Sequence, residues 1–118
     1  MPFKLLDQII DVNVIDDNGN KYVFNIPGDF SYTTGTQYVL SIGTYTLYVA
    51  QQHPITILNS GMKNEITISG DNEQKKLVDG TEYMFYHGNV TINVIGDFGN
   101  VSVYCYYHGY MGGENILT

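Results

Sequence analysis

The sequence contains no tryptophan, no arginine and a single cysteine. With five cations in all, none of them a guanidinium, there is little to grip a row of phosphates, so nucleic-acid binding is not expected. The same shortage disfavours docking to an anionic membrane surface. One cysteine, Cys105, excludes any internal disulfide and gives no argument for an oxidising compartment. No apolar run approaches the length that spans a bilayer as a helix. The stretch Met1 to Asp7 lacks a basic region followed by a long apolar run, so no signal peptide is expected. No segment keeps a helical period for long, which argues against helices as the main scaffold. No phosphate-binding loop, Cys-x-x-Cys pair or Ser-His-Asp arrangement stands out.

What is present fits strands. The 118 residues suit one domain, residues 1–118, with a modest core. Eleven tyrosines, together with Ile, Val and Thr, fill the apolar stretches, and these residue types favour pleated sheet. Short alternating runs recur between Gly, Asn and Asp. Ile9 to Ile15 and Tyr22 to Ile26 flank the hairpin signal Asp16-Asp17-Asn18-Gly19-Asn20. Pro27-Gly28-Asp29 breaks the chain. Gln37 to Ile42 and Tyr45 to Ala50 flank a tight Gly43-Thr44 turn. His53 to Leu58 and Glu65 to Ser69 form a further pair, split by Asn59-Ser60-Gly61. Gly70 to Gly80 is polar and reads as the longest loop, the place for any short helix. Thr81 to Tyr86, Asn89 to Ile95 and Asn100 to Tyr106 complete about seven to nine short strands. The expected class is all-β, an antiparallel sandwich or barrel. Along the last strand Val101, Val103 and Cys105 share one face, expected to point inward, and Ser102 and Tyr104 share the other.

That strand ends in chemistry. Cys105, His108 and Met111 follow one another as C-x2-H-x2-M, and a compact turn through Gly109 can wrap all three around one point. A thiolate, an imidazole and a thioether are soft and borderline donors, which favour copper over magnesium, calcium or manganese. Blue-copper sites pair one Cys and two His in a plane with a long axial Met. The second imidazole must come from elsewhere. His53 opens a strand and would be held by the sheet, whereas His87 lies in a Tyr-His-Gly stretch that reads as a surface turn. Each residue taken alone has a plainer role: a buried Cys or Met is usually filler, and a loop His is usually solvated. Their joint spacing after the final strand favours a metal site of His53, Cys105, His108 and Met111. Zinc on His53 and Cys105 is the weaker reading, because Met is a poor zinc ligand.

The run Val103-Tyr104-Cys105-Tyr106-Tyr107-His108-Gly109-Tyr110-Met111 resembles the copper loop of the cupredoxins, the plastocyanin and azurin class. Its Cys-to-Met spacing is similar to the short loop of amicyanin. His53-Pro54-Ile55-Thr56-Ile57 takes the place of the strand that carries the first histidine. From about Tyr38 to Asn115, roughly two thirds of the chain, the sequence more closely resembles cupredoxin-like proteins of marine phages and large DNA viruses. Gly43-Thr44-Tyr45-Thr46, His53-Pro54-Ile55, Gly96-Asp97-Phe98-Gly99 and His108-Gly109-Tyr110-Met111-Gly112-Gly113 carry that likeness. The resemblance implies a Greek-key β-sandwich and a type 1 copper site. One departure matters. In familiar cupredoxins the residue after the first histidine is commonly Asn, whose N–H donates to the Cys sulfur. Here it is Pro54, which has no N–H.

The expected chemistry is one-electron transfer on a single copper ion, with no open position for catalysis, so the chain is not expected to be an enzyme. Tyr104 and Tyr106 flank Cys105, where multicopper enzymes place histidines. His108 would be the ligand nearer solvent. Tyr104 would either pack beneath the loop or serve as a second electron exit. The net charge of −7 suits a redox partner with a basic face. The competing expectation is a viral structural or interaction module, with copper static, sequestered or absent, and tyrosines carrying the contacts. Host cytoplasm or virion is the expected location.

Overall fold

The computed structural model describes residues 2–5, 9–16, 20–25, 37–58, 64–110 and 117–118. The Asn18-Gly19 turn centre, the Pro27-Gly28-Asp29 break, Asn59-Ser60-Gly61 and Met111 lie outside them. The described chain is all strand and turn. Its strands are β1 (Pro2–Leu5), β2 (Ile9–Asp16), β3 (Asn20–Asn25), β4 (Gln37–Leu40), β5 (Gly43–Val49), β6 (Ile55–Leu58), β7 (Ile66–Val78), β8 (Thr81–Val94), β9 (Ser102–Cys105) and β10 (Gly109–Tyr110). The order across the main sheet is β10-β9-β6-β8-β5-β2-β3, with β7 on the other edge of β8, and β1 pairs β4 apart from it.

Pairing is antiparallel except for β1 with β4 and β2 with β5. The long strand β8 organises the rest. Its second half, Gly88 to Val94, pairs β5, while Tyr86 in its first half pairs Ile55 of β6. β8 thereby links the β5-β2-β3 group to the β6-β9-β10 group. Leu117 bridges Tyr38 on one side and Val101 on the other, tying β4 to the approach of β9.

Side chains from both groups meet in one core. Tyr22 and Phe24 of β3, Tyr45, Leu47 and Val49 of β5, Ile55 and Ile57 of β6, Val90, Ile92 and Val94 of β8, and Val103 and Cys105 of β9 are all buried there. This is the packing of a β-sandwich, where alternate residues of facing strands interdigitate. Alternation is plain in β5, where Tyr45, Leu47 and Val49 are buried between exposed Thr44, Thr46 and Tyr48. Full burial of a side chain such as Ile55 contributes about 1.5–3 kcal/mol, so the strand ends that reach the site sit on well-anchored backbone.

Four expectations from the sequence need correction. Gly70 to Gly80 is not a loop: Gly70 to Val78 continue β7, which pairs β8 down to Val78 opposite Thr81. The connection is the two-residue turn Asp79-Gly80, with φ of 50° and 81°. Two positive φ angles in succession are the signature of the turn that matches strand twist, and Asp-Gly is among its preferred pairs. His87 is not in a surface turn but inside β8, half-buried and opposite Asn72. Gly43-Thr44 does not close a hairpin, because β4 pairs β1 and β5 pairs β2 and β8. β6 does not pair β7; it lies between β8 and β9.

Candidate metal centre

Cys105 is the last residue of β9. Val101, Val103 and Cys105 are buried in one inward row, as alternation requires, and Cys105 has no exposure at all. Ser102, on the other face, is also nearly buried, whereas Tyr104 is half-buried. β9 pairs β6 in register, with Ile55 opposite Cys105. His53 lies two residues before Ile55, so the same ladder that fixes Cys105 fixes the approach of His53. His108 returns from the other side. Residues Tyr106 to His108 form the turn between β9 and β10, and Gly109 pairs back to Cys105.

Gly109 is what lets the turn close this tightly. It has φ of 73°, and a Cβ there would stand 3.4 Å from the Tyr104 ring. An L side chain there would strain the backbone, while its Cβ would only touch the Tyr104 ring. Tyr104 is packed on its other sides by Phe85, at 6.2 Å between ring centroids, and by Tyr110, edge-on at 5.0 Å.

The three side chains converge. The Cys105 sulfur lies 3.8 Å from His53 Nδ1 and 3.6 Å from His108 Nδ1. One ligand atom from each residue falls within 4.8 Å of the others. For a first-row ion such as zinc, a thiolate sulfur at about 2.3 Å and an imidazole nitrogen at about 2.0–2.1 Å stand about 3.5–3.8 Å apart, for angles between tetrahedral and trigonal. The two observed sulfur–nitrogen separations fit those of ligands sharing one metal ion. The rings are 4.9 Å apart and tilted by 38°, so neither is stacked flat on the other. This His-Cys-His group is compatible with copper, and its donor types suit a soft or borderline ion.

The histidines are not equivalent. His53 is half-buried and His108 is exposed, which places His108 on the solvent side as its turn position suggests. Burial holds the His53 pKa below the ordinary imidazole value, and the neighbouring His108 lowers it further. The ring is thus biased towards the neutral form, the form that can bind a metal.

The backbone around His53 is heavily tied. Its N–H donates to Ala50 O at 3.0 Å, and its carbonyl accepts from the Tyr22 hydroxyl at 2.7 Å. Pro54 O accepts from the Tyr106 N–H at 3.0 Å, which joins the His53 side of the site to the Cys105 side. From the β7 arm, the Lys76 ammonium donates to Tyr106 O and sits 4.9 Å from the centre of the Tyr106 ring. Phe85 of β8 packs edge-on to that ring at 5.4 Å.

Of the residues singled out from the sequence, His53, Cys105 and His108 come together, and Met111 lies outside the described residues. His87 does not join the group; its carbonyl accepts from the Asn72 amide at 3.3 Å. Tyr22 and Lys76 were not anticipated. Tyr22 is one apolar strand residue among many, and Lys76 fell in what read as a loop. The Asp79-Gly80 pair could have placed Lys76 on a hairpin facing the site. No protein-family model, curated protein or solved structure matches the chain.

Proposed function

We propose that the chain binds one copper ion through His53, Cys105 and His108, with Met111 as the further, weaker ligand that the loop spacing suggests, and carries single electrons. The observation that supports this best is the convergence of two imidazole Nδ1 atoms on one buried thiol, at 3.8 and 3.6 Å. The all-β sandwich and the position of Cys105 at the end of its strand are compatible with a cupredoxin-like protein, as the loop motif suggests.

The roles divide by environment. Cys105 binds as thiolate, and its burial removes water from the sulfur. His53 is the fixed ligand, held through its N–H and its carbonyl. His108 is the exposed ligand and the edge that a partner can touch. Copper, when bound, supplies a one-electron couple. The tied backbone at His53, Pro54 and Tyr106 would hold the ligands in place in both oxidation states and so keep reorganisation small. On this reading the protein is a carrier rather than a catalyst. Its net charge of −7 selects a partner with a basic face.

Voltammetry of the copper-loaded protein tests the electron-transfer role. The reading predicts a reversible one-electron wave, which His108→Ala shifts or broadens by opening the site to water. Copper uptake without any reversible wave would leave storage instead. A second reading, an interaction module of viral type, draws support from Tyr48, Tyr107 and Tyr110, which are exposed large side chains. It predicts that removing those rings abolishes partner capture by the metal-free protein.

A further inference from the structure

Among the described residues the main sheet ends in three open edges: β10 with 2 residues, β3 with 6 and β7 with 13. β7 pairs β8 alone. No backbone hydrogen bond among the described residues ties residues 71–77 to any other segment. An open edge presents a row of N–H and C=O groups that a further strand can take up. The stretch is also exposed. Of residues 71–77 only Gln74 is half-buried, and Leu77 keeps 65% of its surface in solvent.

The side chains say which strand fits. Charge along this edge runs from acid to base, with Asp71 and Glu73 first and Lys75 and Lys76 after them. Lys76 is already engaged, donating to Tyr106 O from the face it shares with Gln74. Glu73 and Lys75 lie on the opposite face, in register with Tyr86 and Met84 of β8. Neither forms a salt bridge within the chain among the described residues. A strand whose charge reverses along its length is complementary to a copy of itself run antiparallel. About a two-fold axis at Gln74, Glu73 of each copy stands opposite Lys75 of the other, and the axis carries an uncharged amide. Moving the axis by one residue either way sets Glu73 against Glu73 or Lys75 against Lys75, and like charges directly opposite are destabilising. Parallel in-register pairing makes both of those contacts at once. The bulge between Gly70 and Asn72 ends the regular ladder beside this stretch.

We propose that β7 is a self-association edge: two copies of this chain pair antiparallel through residues 72–76 and join their sheets into one. The contact is isologous, so the Glu73–Lys75 pair occurs twice. Backbone hydrogen bonds supply the attraction, and the two charge pairs select the partner and the register. So short a ladder makes a weak dimer. Its formation does not depend on what the metal centre binds.

Sedimentation of the metal-free full chain over a range of concentrations tests this. The wild type should pass reversibly from monomer to dimer. Lys75→Glu and Glu73→Lys should each weaken the dimer about tenfold, because each sets like charges opposite at both symmetric positions. The double variant rebuilds both pairs and should recover most of the lost affinity. Both residues are exposed, so the variants should fold. On the unaltered chain, amide exchange within residues 72–76 should slow as concentration rises, while that of β3, the other long edge, should not. A wild type that stays monomeric up to roughly millimolar concentration overturns the proposal. So does a dimer that both reversals leave intact, or a double variant no better than the single ones. Exchange that slows equally in β3 and β7, or in neither, also overturns it.

Discussion

Pro54 serves the backbone through its carbonyl and has no N–H to offer. Its carbonyl is used twice, by the Tyr106 N–H and at longer range by the Tyr22 hydroxyl. Its nitrogen offers nothing. Hydrogen bonds to a ligating sulfur tune a metal's potential, so Pro54→Asn, which restores an N–H, should raise the potential of the copper protein. A fall or no change on voltammetry would count against this account of the site. His53 gives a second prediction. Its folded pKa lies below the ordinary value through burial and then through His108, so the unfolded chain takes up the proton first as pH falls. The stability it contributes to the metal-free protein is full above about pH 6.5 and is lost as pH falls through the depressed folded value. Thermal unfolding across that window should show a decline that His53→Asn flattens. Cys105, His108 and their spacing were legible in the sequence because they are neighbours along the chain. The closeness of His53 was an inference from its strand, and Tyr22 was invisible because its role is carried by tertiary contact alone.

The β7–β8 hairpin is the element that the sequence hid. Hydrophobic periodicity reports burial rather than strand, and Asp71 to Leu77 expose most of their side chains to solvent. A strand with little to bury reads as a loop. The Gly in Tyr86-His87-Gly88 likewise reads as a break, yet β8 runs through it with β7 paired alongside. The apolar strands β5 and β9, by contrast, were recognisable from alternation. The hairpin also does something for the site. Lys76 on β7 holds the Tyr106 carbonyl and ring, and Phe85 on β8 supports the same ring. Lys76→Met keeps the length of the side chain and loses the charge and the donor. It should cost about 0.5–1 kcal/mol in thermal unfolding, the size of an exposed cation–π contact, and it should speed copper release. Unchanged release and unchanged unfolding would show that the hairpin merely lies beside the loop.

At the scale of the molecule, a single core joins the two strand groups, and the site sits where β6 and β9 emerge from it. His53 and Cys105 are 52 residues apart in sequence yet meet across one ladder, so neither can move without disturbing the sheet. On the electron-carrier reading proposed above, the net charge of −7 and the exposed His108 and Tyr107 would suit brief contact with a basic partner. All of this depends on the thiolate of Cys105 binding copper together with the two imidazoles. The most direct test is the visible spectrum of the metal-free protein as Cu(II) is added. The account predicts an intense blue or green charge-transfer band that saturates at one copper per chain and is absent in Cys105→Ser. A protein that stays colourless and takes up no copper, or a band that survives in Cys105→Ser, would contradict it.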